Sequence, residues 1–133
     1  MRYLIESFAL EALRRGRSVE QFLGGAGTAE SPEVRWVEIR PVPQCFVVVL
    51  HEDEDIGGED FCDLHGLRGV EREDGQQNFG HEVGVVGAGT EALHLAAQEL
   101  GGAAPDRWCS QGVAGGDYLD YVRAGSPDLH PAE

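Results

Sequence analysis

The chain has 133 residues, 24 acidic and 10 basic side chains and a formal net charge of -14, which is one domain's worth of protein with 41% hydrophobic residues to fill a core. That composition excludes wholesale disorder. The negative balance argues against direct binding of nucleic acid or of an anionic membrane surface, because both require neutralising cations in number. The N-terminal segment breaks its apolar run at Glu6, unlike a signal peptide, and the longest apolar run, Cys45 to Leu50, falls far short of the roughly 20 residues that span a bilayer. A cytoplasmic, soluble protein is expected. Cys45, Cys62 and Cys109 are odd in number and lack paired CxxC spacing, so we expect reduced core thiols rather than a disulfide framework or a zinc knuckle.

Residues 3 to 15 read as an amphipathic helix, with Tyr3, Leu4, Phe8, Leu10 and Leu13 at helical spacings and Gly16 as the stop. A second short helix is predicted after it, because Ser18 and Gln21 stand in a capping-box arrangement ahead of Phe22, Leu23 and the stop Gly24-Gly25. Gly24 to Pro32, small and polar, predicts a loop. Val34 to Arg40 alternates, with Arg35, Val37 and Ile39 on one side and Trp36, Glu38 and Arg40 on the other, the pattern of a half-buried strand ended by Pro41 and Pro43. Cys45 to Leu50, continuous and β-branched, predicts a central strand antiparallel to it.

Phe61 to Leu67 and Glu82 to Val86 predict two further strands. Leu93, Ala96, Ala97 and Leu100 recur at three and four residue intervals, which predicts a helix capped by Thr90 and stopped by Gly101-Gly102. Asp117 to Val122 predicts a last short helix. The expected fold is α+β: a two-layer domain over residues 1–124, a mainly antiparallel sheet of 3 to 5 strands packed by N-terminal and C-terminal helices, followed by a frayed tail over 125–133.

Charge is unevenly distributed. Residues 52–74 hold ten acids against only Arg68 and Arg72, a local sum of -8, whereas residues 1–51 sum to zero. Like charges at this density repel, so the segment must stay solvated, pair with cations or meet a basic partner. Glu52, Asp53, Glu54, Asp55, Glu59, Asp60 and Asp63 are the candidate partner-binding residues, with Trp36 as a candidate aromatic anchor. The spacing of Asp53, Asp55 and Glu59 lacks the register of an EF-hand, since Ile56 precedes Gly57.

His51, His65, His81 and His94 form no HxH, HxxxH or HExxH pattern, and a metal centre would have to be assembled from His51, His65 and Asp63 across the fold. No nucleophile elbow surrounds Ser110. Glu82 to Ala92 resembles the strand, G-x-G-x-x-G/A and helix fingerprint of Rossmann dinucleotide-binding proteins, but no second strand with an acid follows, and Glu91 would sit beside the phosphates. It reads as a strand-turn-helix coincidence.

The expectation is therefore a non-enzymatic protein, without cofactor or metal, that binds and neutralises a basic protein partner through an anionic face, as bacterial immunity proteins and phage-encoded inhibitors do. The alternatives are a small-ligand or nucleotide-binding domain on the Gly87-Ala88-Gly89 turn and a metal-dependent enzyme around His51 and His65.

Overall fold

Alternation drives the centre of the molecule. In the computed structural model, which describes residues 2–71, 80–101 and 103–126, the elements run α1 (Glu6–Arg14), β1 (Val19–Gly27), β2 (Pro32–Val42), β3 (Cys45–Glu54), β4 (His81–Val86), α2 (Gly89–Glu99), β5 (Cys109–Ser110) and α3 (Gly115–Arg123). The strands form one five-stranded antiparallel sheet in the order β4-β3-β2-β1-β5. This is a two-layer α+β arrangement, with helices from both ends of the chain flanking the sheet.

The β2–β3 hairpin is the longest pairing, from Glu33 opposite Glu54 to Val42 opposite Cys45. Its turn is Pro43-Gln44, with Gln44 at φ 70°. One sheet face buries Val19, Val37, Ile39 and Val48 under Ala9 and Leu13 of α1, Ala92 and Ala96 of α2, and Trp108. The other face carries a second core of Phe22, Val34, Trp36 and Cys109, covered by Ala114, Tyr118 and Tyr121 of the α3 region and by Leu64. Each large apolar side chain so buried contributes about 1.5–3 kcal/mol.

Several expectations change. The predicted helix after Ser18 is instead β1: Val19 and Gln21 point to one face and Glu20 and Phe22 to the other, and pairing with β2 and β5 outweighs a short local capping signal. The predicted loop from Gly24 shrinks accordingly, because Gly24 to Gly27 continue β1 past a bulge between Phe22 and Gly24. The first helix starts at Glu6, since Tyr3 bridges to Cys109 and the Leu4 amide donates to the Trp108 carbonyl at 2.7 Å. Phe61 to Leu67 is no strand: the Asp63 side chain accepts from the His65 amide and winds Leu64–Gly66 into a 3-10 turn. Helix α2 begins at Gly89 with Ala88 as its N-cap, not Thr90, and without a side-chain cap. The tail expected from residue 125 onward lies, beyond Ser126, outside the described residues.

Candidate functional site

The strand register stacks a column of polar side chains on the face turned away from α1 and α2. Glu20 of β1 lies opposite Glu38 of β2, Trp36 of β2 opposite His51 of β3, and Val34 opposite Asp53. Residues 55–70 leave β3, cross this face and return to it. The Glu54 amide donates to the Arg68 carbonyl at 2.7 Å and the Val70 amide to the Glu52 carbonyl at 3.0 Å. Leu64, only 2% exposed, inserts into the second core and sets His65 over the column. Two glycines allow this strap to touch α3: a Cβ on Gly57 would lie 2.5 Å from the Tyr118 ring, and one on Gly115 would lie 2.5 Å from the Cys62 carbonyl oxygen.

Trp36 is the hub. Its indole N–H donates to Asp53 Oδ2 at 2.8 Å, the His51 ring stacks on it at 4.0 Å and 10°, and His65 meets it edge-on at 4.7 Å. Each histidine is paired with a buried carboxylate, His51 Nε2 at 2.6 Å from Glu38 Oε1 and His65 Nε2 at 2.7 Å from Glu20 Oε1. Arg40 also donates to Glu38 Oε1, at 2.6 Å, and the Ala114 amide donates to Glu20 Oε2 at 3.1 Å. Trp36, Glu38, His51, Asp53, His65 and Arg68 line a cavity of 290 Å³.

The two buried acids on this cavity behave oppositely. Burial alone raises the Glu38 carboxyl, but the hydrogen bonds from His51 and Arg40 more than reverse this and hold it at about 2, below the ordinary 4.5. Asp53 is pushed up by burial, which the Trp36 N–H and the charges of His51 and His65 only partly offset. Ionised Asp53 is thus disfavoured in the folded protein, and the stability it contributes is present below its ordinary value and lost as pH rises through its folded one. Asp53→Asn keeps the acceptor for Trp36 and removes the charge. It should raise stability at pH 7 in urea titrations, and a lower stability than the parent would show that the charge itself is needed.

The chemistry open to this arrangement follows from who is already engaged. Both Nε2 atoms are committed to glutamates, Asp63 Oδ1 accepts from the His65 amide, and among the described residues no group of three or more His, Cys, Asp or Glu is placed to hold a metal ion. His51 and His65, assigned to a metal-dependent enzyme in one reading, do converge, but on Trp36 and on separate carboxylates. Burial pushes the Cys109 thiol up to about 12, far from a thiolate nucleophile. The Gly87-Ala88-Gly89 turn joins edge strand β4 to α2. Its only described strand neighbour, β3, is antiparallel, and the chain next pairs at the opposite edge through β5, so the parallel βαβ unit of a dinucleotide site is not formed here.

The acidic residues separate into groups. Glu52, Asp53 and Glu54 are the end of β3 rather than loop, and Asp53 is only 4% exposed. Trp36 is 2% exposed, so neither it nor Asp53 is presented at the surface as an anchor; the strap covers this face of the sheet. Asp55 accepts from the Tyr118 hydroxyl, and Glu59 accepts from Arg123 Nε at 3.1 Å. Glu59, Asp60 and Asp63 are exposed. Glu30, Glu33, Glu54, Asp55 and Glu71 surround a groove of 270 Å³ with Ile56, itself 56% exposed, at its side. Glu73 and Asp74 lie outside the described residues.

Comparisons with protein-family models, curated proteins and solved structures found no match to the chain.

Sequence reasoning missed Glu20, Glu38 and Tyr118. Alternation across Val19 to Phe22 was the available signal for Glu20, masked by the capping pattern. Glu38 shares a side with Trp36 in the β2 alternation, but its burial follows only from the strap. Tyr118 sits in the predicted last helix, where nothing local indicates that its hydroxyl accepts from the Gly57 amide at 2.9 Å.

Proposed function

We propose that this protein is a non-enzymatic, cytoplasmic binding protein that engages a basic protein partner through the acidic surface around residues 30–33, 52–63 and 71. The observation that carries this reading is the groove itself, in which five carboxylates converge beside an exposed isoleucine. Glu33 and Glu54 lie directly opposite each other in the β2–β3 register, and Arg68 is the cation beside Glu54 and Glu71, at 3.7 and 3.4 Å. A lysine or arginine of a partner entering the groove adds positive charge to a site where acids outnumber this arginine, and Ile56 supplies apolar contact at its rim. The wider field, from a chain of net charge -14, steers a cationic partner toward this face.

The test is a charge-reversal set confined to exposed positions away from the hydrophobic cores, Glu30, Glu59, Asp60 and Glu71 to lysine, measured against a partner captured from the native host. The association rate constant should fall about tenfold or more at low salt, while dissociation changes less. The effect should shrink between about 0.1 M and 1 M salt, as the Debye length falls from about 10 Å to about 3 Å. Each single reversal should matter by less than about 1 kcal/mol. Unchanged association kinetics for the fourfold variant at low salt would refute electrostatic docking.

A further inference from the structure

The strap that bears much of the acidic surface is tied to the sheet through a histidine–carboxylate hydrogen bond whose two members differ sharply in environment. Glu20 is fully buried, at 0% exposure, near the start of β1, whereas the His65 side chain at the other end of the 2.7 Å contact is 32% exposed. Glu20 also faces a second buried carboxylate, Glu38, directly across the β1–β2 register. Glu38 has a permanent cation beside it in Arg40, but among the described residues the side chain hydrogen-bonded to Glu20 that is able to take a positive charge is His65. A buried carboxylate loses far more from an uncompensated charge than an exposed one does.

We propose that the His65–Glu20 pair is a proton-dependent latch on residues 61–67, closed when His65 is protonated and weakened when it is neutral. This rests on the reading of the acidic surface as a binding face, which the latch would regulate by fixing or freeing Asp60 and Asp63. The charged and titratable groups around His65 are Glu20 from β1, Glu38 and Arg40 from β2, His51 and Asp53 from β3, Asp63 and Arg68 on the strap, and Tyr118 on α3, whose burial keeps it protonated. Of these side-chain types, imidazole is the one that changes charge between pH 5 and 8. His51 shares its carboxylate with Arg40 and lies in the sheet itself, so it does not tie the strap. With neutral His65 the attraction between two full charges is gone, and one imidazole N–H donor to the Glu20 carboxylate remains. The backbone bonds at residues 54 and 70 and the buried Leu64 keep the strap from leaving altogether.

Amide hydrogen exchange on the free protein tests this without any partner. The Gly66 and Leu67 amides, which donate to Asp63 and Leu64 within the turn, should lose about tenfold in protection between pH 5.5 and pH 8 after correction for intrinsic exchange, a factor within reach of one charge-assisted hydrogen bond. Amides of the β2–β3 hairpin should not change in parallel. His65→Gln retains a donor toward Glu20 but does not titrate, and it should make turn protection independent of pH. Glu20→Gln should flatten it as well, and His51→Gln should leave the dependence in place. A turn whose protection does not vary with pH in the parent, or varies equally in His65→Gln, would overturn the latch. Failure here leaves the salt-dependent association test untouched, and failure of that test leaves the latch standing.

Discussion

Truncation of Trp36 to alanine is expected to lower the unfolding free energy by about 3–5 kcal/mol, a large part of the roughly 5–15 kcal/mol that holds a domain of this size together. Three losses combine. The indole is 2% exposed in the core shared with Phe22, Val34, Leu64 and Tyr118, so its removal leaves a cavity under the strap. Both histidine rings lose the surface they rest against. Asp53 loses its indole donor while remaining buried, which leaves an uncompensated acceptor. Trp36→Phe separates the terms: it keeps most of the volume and should cost about 1–3 kcal/mol, much of it at Asp53. Combining Trp36→Phe with Asp53→Val removes both halves of the hydrogen bond and should recover part of that cost. Urea denaturation followed by far-ultraviolet circular dichroism measures all three variants. A loss below about 1 kcal/mol for the alanine variant would contradict the central place given to this side chain.

The second large effect is the acid limb of stability. The Glu38 carboxyl sits at about 2 in the folded protein against an ordinary 4.5, so the folded state favours its ionised form. A depressed folded value contributes stability that is fully present above the ordinary value and is lost as pH falls from about 4.5 toward about 2, an amount on the order of 3 kcal/mol. Glu38→Gln should therefore be less stable than the parent at pH 7 by a comparable amount, and the gap should close as pH approaches 2. Urea midpoints at pH 7, 4 and 2.5 give the comparison. Parallel curves would show that Glu38 is not the group responsible. Asp53 acts in the opposite direction, so an Asp53→Asn background should leave the acid limb of Glu38 visible and remove the compensating term.

The same residues show where local pattern suffices. The β2–β3 hairpin, β4, α2 and α3 were legible in the amino-acid order because each is specified by signals a few residues apart: alternation at Val34 to Arg40, a continuous β-branched run at Cys45 to Leu50, a proline-led turn between them, and helical spacing closed by glycines. The acidic bias of residues 52–74 was equally plain. β1 was not legible, because Phe22-Leu23-Gly24-Gly25 offers few local strand signals and the segment is held by partners on both sides, β2 and β5.

Alternation also cannot say which side of a strand is interior when both are covered. Trp36 and Val37 point to opposite faces and are both buried, since helices cover one face while the strap and α3 cover the other. The pairing of His65 with Glu20 spans 45 residues of sequence, and that of Tyr118 with Asp55 spans 63. A carboxylate inside a protein is tolerable only where a cation or donor is brought within hydrogen-bond reach. Composition and order determined how many charges the chain carries and which segments form strands and helices. Which of those charges are buried, and which partner neutralises each one, was decided only when strand register and the path of the strap brought distant residues together.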